Sequence, residues 1–236
     1  MNGRTRSLLA VMLTITTLPA AAQWLNVPTK GIPRTKDGQP DLSAPAPRKL
    51  DGKPDVSGVW LGDPGNDKYL SNLGADFKPG EFPIQPWAEA LTKERRTDAG
   101  QSRWPSTHCL PAGVPLFDAM HGYPYKIIQE PDLVVIFREE RSEFRQIFLD
   151  DRQPAKDPNP TWLGYSVGRW DGDILVVDTT GFNGKTWLDN SGHPSTLQSR
   201  AAHRYPLSLQ HQPDNAITLE TPAAVLPNQQ LSCFSV

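Results

Sequence analysis

The run from Gly164 to Phe182, GYSVGRWDGDILVVDTTGF, constrains this chain more than any other, because two strand-like stretches meet at Asp171-Gly172. An Asp-Gly pair accepts the positive φ angles of a two-residue type I′ turn, whose twist matches the strands it joins. The run therefore predicts a hairpin in which Trp170 faces Asp173, Arg169 faces Ile174, Val167 faces Val176 and Tyr165 faces Asp178. The last three pairs share one side of the ribbon. A face that mixes apolar residues with Tyr165, Arg169 and Asp178 is either an outer surface or the lining of a cavity that grips a partly polar ligand.

Around this hairpin the chain reads as strands joined by turns. Gly58-Val59-Trp60 opens a first strand, and a Gly-x-Trp at that place resembles the start of lipocalin-like barrels. Strand patterns follow at Tyr125–Gln129, Leu133–Arg138 and Glu143–Leu149, separated by a turn at Glu130-Pro131-Asp132 and another near Arg141. One helix is predicted, over Gln85–Asp98, with Pro86 in its first turn and Trp87, Ala90, Leu91 and Glu94 on one face. Strands linked by tight turns without helical crossovers form antiparallel sheets. The expected fold is mainly β, an antiparallel meander rolled into a small lipocalin-like barrel or half-barrel, with one helix and a long Pro-rich N-terminal arm. Closing the sheet removes its exposed edges and leaves an interior for side chains or one small ligand. The alternative is an open antiparallel sheet packed on the helix.

The ends of the chain carry different information. Arg4 and Arg6 precede an apolar run from Leu8 to Leu18, and Ala20-Ala21-Ala22 supplies small residues at a cleavage site, so residues 1–22 read as a secretory signal peptide. The expected location is periplasmic or secreted. No later segment offers the roughly 20 apolar residues that a membrane-spanning helix requires. Residues 23–55 form an extended arm containing a tandem repeat, Asp37-Gly38-Gln39-Pro40-Asp41 and Asp51-Gly52-Lys53-Pro54-Asp55, which reads as turn chemistry because the spacing of a calcium loop is missing. Residues 56–205 form the β-rich domain and 206–236 a divergent tail open to disorder.

The motifs Arg145-Gln146-Ile147-Phe148-Leu149-Asp150, Gly168-Arg169-Trp170-Asp171-Gly172-Asp173, Thr180-Gly181-Phe182-Asn183 and Thr186-Trp187-Leu188-Asp189 together resemble a family of exported bacterial proteins of unassigned function. The resemblance covers roughly Pro33 to Pro194. It implies no settled chemistry. After Pro194 the chain departs from the family pattern: only Arg204-Tyr205 echoes a Glu-Arg-aromatic strand, with His203 in the acidic position, and the Asp-Asp-Pro and Pro-Trp ending is absent.

The chemistry-bearing residues are dispersed. There is no Gly-x-Ser-x-Gly elbow, His-Glu-x-x-His, phosphate loop or Cys-x-x-Cys, so no cofactor is implied. A net charge of −2 gives no field that would attract nucleic acid. The densest cluster is Trp187 to His193, where Asp189 and His193 stand four residues apart. As a pair they suit proton transfer near neutral pH, while Trp187 offers a stacking surface. Simple turn capping by Asp189 is the bland alternative, and a metal held by Asp189, His193 and His203 a third. Arg145 and Arg169 fall within strands, where an inward guanidinium would grip a carboxylate. Cys109 is expected to be packed or paired with Cys233, the only other cysteine, rather than to act as a nucleophile beside His108.

Two readings of function follow. One is a binding or accessory protein whose β-barrel cup holds a small aromatic or carboxylated ligand through Tyr165, Arg169, Asp178, Trp187 and Arg145. The other is a cofactor-free acid/base enzyme, a lyase, isomerase or hydrolase, working on a small aromatic compound through Asp189 and His193. No nucleic-acid partner and no membrane span belong to either, and nothing in the sequence specifies an oligomeric state.

Overall fold

The computed structural model describes residues 33–206 except 39–40, 42, 46, 62–66, 120–122 and 154–155, together with the backbone of 216–220 and 231–235. The signal-peptide reading of residues 1–22 lies outside the described residues. Two units separate in the chain, residues 1–44 and 45–236. Each holds one copy of the Asp-Gly-x-Pro-Asp repeat, and the two copies share a turn at their glycines. Gly38 and Gly52 both donate their N–H three residues back, and the Arg34 and Arg48 guanidinium groups donate to the carbonyls of Gly38 and Gly52 at 2.6 and 3.0 Å. The repeat is thus a turn held by its own arginine.

In the second unit the strands are β1 (Gly58–Leu61), β2 (Pro124–Gln129), β3 (Leu133–Arg138), β4 (Phe144–Phe148), β5 (Tyr165–Asp171), β6 (Ile174–Thr180), β7 (Arg200–Pro206), β8 (Ala216–Glu220) and β9 (Leu231–Ser235). They form one sheet in sequence order, and among the described residues β1 and β9 do not meet, so the mainly β meander curls as an open half-barrel. The segment expected as a divergent tail supplies β8 and β9. Every neighbouring pair is antiparallel except β4 and β5, which run parallel through Ile147↔Ser166 and Phe148↔Val167. The expected uniform antiparallel meander is corrected there, because the connection 149–164 is long enough to return the chain to the end of the sheet at which β4 began.

The hairpin forms, but its turn sits one residue later than the sequence suggests. Asp171 pairs with Ile174, Arg169 with Val176 and Val167 with Asp178, correcting the expected Arg169–Ile174 register. Gly172 is the first turn residue at φ +61 and Asp173 is not left-handed, the pattern of a type II′ rather than a type I′ turn. A slip of two positions preserves side-chain parity, so the same residues share each face. Arg48 of the second repeat turn pairs with Asp173 at 2.8 Å and ties that repeat turn to the hairpin turn. Gln129 at the end of β2 adds a buried clamp, accepting from Val56 N at 2.9 Å and donating to Pro54 O at 3.0 Å.

The core lies on one face of the sheet. Val134 and Ile136 of β3, Ile147 of β4, Leu175 and Val177 of β6 and Ala201 of β7 are buried with Val114, Phe117, Leu73 and Leu188. Ala112 to Asp118 is buried throughout and ends in the short helix α4 (Leu116–Ala119), labelled after α1 (Asp67–Ser71), α2 (Pro86–Arg95) and α3 (Asp98–Gln101). This segment plugs the inner face of the sheet. The expected helix breaks at Arg96, and Thr97 caps α3 by accepting from Gly100 N. Its buried side is also not the expected one: Ala88 and Thr92 are buried whereas Trp87 is 47% exposed. The small stripe wins because it lets the helix backbone lie close to its neighbours, and the Thr92 hydroxyl is satisfied by donating to Ala88 O.

Candidate functional site

The face proposed for ligand contact from the hairpin is the outer one. Arg169 is exposed. Tyr165 stacks on Phe148 at 5.3 Å between ring centroids, and its hydroxyl accepts from Arg152 at 3.1 Å. Asp178 is gripped by Arg200. These three residues are brought to one surface, where the polar groups of Tyr165 and Asp178 are engaged with neighbouring side chains.

Arg145 points the other way, into the interior. Its Nη1 donates to Asp118 Oδ2 at 2.6 Å and to the Tyr205 hydroxyl at 3.1 Å, Nη2 to Thr179 Oγ1 at 2.8 Å and Nε to Ser166 Oγ at 3.2 Å. Tyr205 in turn donates to Asp118 Oδ1 at 2.8 Å. His203 Nε2 lies 3.1 Å from Asp118 Oδ2 but off the hydrogen-bond direction, and its Nδ1 has no partner. Burial pushes the Asp118 carboxyl up, yet Arg145 and His203 beside it hold it well below the usual carboxylate range. Burial, reinforced by the Arg145 charge, pushes His203 down against the pull of Asp118 and favours its neutral form. Burial and Asp118 push the Tyr205 phenol well up. The sequence offered no sign of Asp118, whose partner is distant in the chain. His203 and Tyr205, however, share strand parity with buried Ala201, which points both inward. This is a closed ion network in the packed interior, and Arg145 is spent within it.

The remaining candidates lie on the loop from Thr186 to His193, packed against α2. Gly192 makes that contact possible: it sits at φ +89, and a Cβ there would fall 2.7 Å from the Cβ of Arg95. Arg95 Nη1 donates to Gly192 O at 2.9 Å. Trp187 and His193 then face different cavities, divided by the helix.

The first cavity, about 430 Å³, is lined by Leu91, Arg95, Arg103, Pro105, Leu110, Trp162, Lys185 and Trp187. The Arg95 guanidinium lies 4.9 Å from the Trp187 ring centroid, and the Trp104 ring packs on that indole at 5.1 Å between centroids. Burial and the neighbouring charge of Arg103 lower Arg95 to about 10, so a third cation, Lys185, completes a cleft with positive charge in excess. Glu94 is paired with Arg103 at 2.6 Å. The sequence reading identified Trp187 but missed Arg95, Arg103, Lys185 and Trp162, which are scattered in sequence.

The second cavity, about 510 Å³, includes Gly74, Phe77, Lys78, Phe82, Ile84, Glu89, Thr92, Lys93, Arg96 and His193 in its walls. Asp189 is fully buried and anchors the loop: Oδ1 accepts from His193 N at 3.1 Å, and Oδ2 accepts from Leu73 N at 2.7 Å and meets His193 Nδ1 at 2.5 Å. His203 is engaged elsewhere, and among the described residues no group of three or more His, Cys, Asp or Glu side chains is placed to hold a metal ion.

Cys109 is free and exposed at the end of the 3-10 turn Pro105–His108, which corrects the expectation of a packed or disulfide-bonded thiol. Its left-handed backbone, at φ 56, turns the side chain out. The Cys233 side chain lies outside the described residues. No family model, curated protein or solved structure matches this chain.

Proposed function

We propose that this chain is an exported small-molecule-binding protein of the uncharacterised family its motifs resemble, and that its ligand is an aromatic carboxylate held in the cleft between α2 and Trp187. The observation that carries this reading is the meeting of Arg95, Arg103 and Lys185 with the indoles of Trp162 and Trp187 around one cavity of about 430 Å³. Such a volume suits a small ligand, and a few convergent polar groups among apolar walls are the usual make-up of a binding pocket. The depressed Arg95 measures the cost of holding its charge there. A bound carboxylate offsets that cost, and guanidinium can receive it bidentately. Binding in the cleft also places the ligand outside the half-barrel, whose inner face is filled by Val114, Phe117 and Asp118.

The test is titration of the full chain with 2-naphthoate, followed by tryptophan fluorescence, with methyl 2-naphthoate as the neutral control. Saturable binding of the acid, at least tenfold tighter than the ester and weakened by added salt, is expected. Arg95→Gln should remove a charge-assisted hydrogen bond and weaken the acid by about 10- to 100-fold. Equal binding of acid and ester, or the same affinity in Arg95→Gln, overturns the reading.

A further inference from the structure

On the far side of α2, independently of that cleft, the structure carries the geometry of a proton-transfer site. His193 is 6% exposed, and its Nδ1 lies 2.5 Å from a carboxylate that is itself fully buried. That contact fixes the tautomer with the proton on Nδ1 and leaves the lone pair on Nε2. The ring cannot turn freely, since Phe82 packs edge-on to it at 5.0 Å. Nε2 takes no protein hydrogen bond among the described residues and belongs to a side chain that lines the second cavity. A solvated surface histidine capping a turn would need none of this enclosure.

The walls define what can enter. Phe77 and Phe82, edge to face at 5.2 Å, form an aromatic side. Lys78, Lys93 and Arg96 face one carboxylate, Glu89, which Lys93 already engages at 2.6 Å. The cavity therefore favours a small aromatic anion. Of the lining residues only Thr92 bears a hydroxyl, and it is committed to Ala88 O. A base with no protein nucleophile beside it acts on water.

We propose that Asp189 and His193 form a general-base dyad that hydrolyses small carboxylate-bearing aryl esters in the second cavity. Nε2 takes a proton from a water molecule as the water oxygen attacks the acyl carbon and the carbonyl electrons pass to oxygen. Collapse of this oxyanion re-forms the carbonyl and breaks the bond to the aryloxide. The aryloxide takes the proton from Nε2, which returns the dyad to its starting state and releases acid and phenol. Lys78 and Arg96 hold the substrate carboxylate, and Asp189 acts as a positioning residue.

The probe is 4-acetoxybenzoate, with release of 4-hydroxybenzoate followed by chromatography. The wild-type chain should show saturable hydrolysis with a normal solvent deuterium isotope effect on kcat. His193→Gln should lower kcat/KM by about 10²- to 10⁴-fold. Lys78→Ala should raise KM with kcat little changed, a split that a loss of structure would not give, and Arg169→Ala on the outer face should change nothing. Asp189→Asn should lower kcat at unchanged KM. If that variant fails to fold for want of its bond to Leu73 N, the His193 and Lys78 variants still decide. Hydrolysis absent in the wild type, or equal in His193→Gln, overturns the proposal.

Discussion

Replacing Arg145 by Met tests whether the interior ion network holds the sheet together. Arg145 and Asp118 are 1% and 4% exposed in their side chains, and the guanidinium makes four hydrogen bonds. Met fills most of the arginine stem, so the main loss is electrostatic: a buried carboxylate keeps Tyr205 and a neutral imidazole but no cation. Stranding one partner of a buried pair costs about 3–5 kcal/mol. An exposed pair such as Arg48 and Asp173, half-exposed on both sides, is worth under about 1 kcal/mol. Urea unfolding at pH 7.5 should separate the two cases, with Arg145→Met losing several times what Arg48→Met loses. Lowering the pH should narrow the gap between wild type and Arg145→Met, because burial without Arg145 favours the protonated form of Asp118. The double variant Asp118→Leu/Arg145→Met should recover stability relative to Arg145→Met, since no charge is left stranded. A loss within about 1 kcal/mol for Arg145→Met, or strict additivity in the double variant, would refute the argument.

Two further outcomes follow from the same geometry. His203 has a folded-state affinity for protons below that of the unfolded chain, so stability should fall as pH drops below about 6.5, by at most about 1.4 kcal/mol per unit. His203→Gln should flatten that slope in urea midpoints measured between pH 7.5 and 5.5, where Asp118 remains ionised; an unchanged slope contradicts a neutral buried His203. Gly192→Ala combines a left-handed backbone with a Cβ 2.7 Å from Arg95, so it should destabilise the chain by about 1–3 kcal/mol and weaken naphthoate binding with it. Wild-type affinity in that variant would show that the loop does not press on α2.

What could be read from the sequence was local periodicity. Leu133–Arg138 forms as a strand with the limits expected, because a short continuous apolar run rich in β-branched residues is closed off by Pro131-Asp132 on one side and by charged residues on the other. The hairpin parity survived a turn displaced by one residue, since a slip of two positions cannot exchange faces. The sense of the β4–β5 pairing was not legible, because it depends on the route of residues 149–164, which carry no periodic pattern. The helix face was misread for a related reason. Large apolar side chains mark a face but do not decide it, and here the close approach of Gly192 rewards Ala88 and Thr92 over Trp87.

The same distinction explains the candidate sites. Arg145 shares strand parity with Ile147, so its inward direction was readable, but Asp118 is 27 residues away in sequence and no spacing rule joins them. An inward arginine in a strand therefore signals either a ligand site or a closed ion pair, and only the position of the partner carboxylate chooses between them. For the loop 187–193 the density of polar and aromatic residues marked the right segment without revealing its division. Trp187 and His193 open to separate cavities because α2 presents Leu91 and Arg95 to one and Glu89, Thr92, Lys93 and Arg96 to the other. At about 100° per residue the centres of those two sets lie roughly 130° apart on the helix, so the helix that looked like packing in the sequence is the wall on which both sites depend.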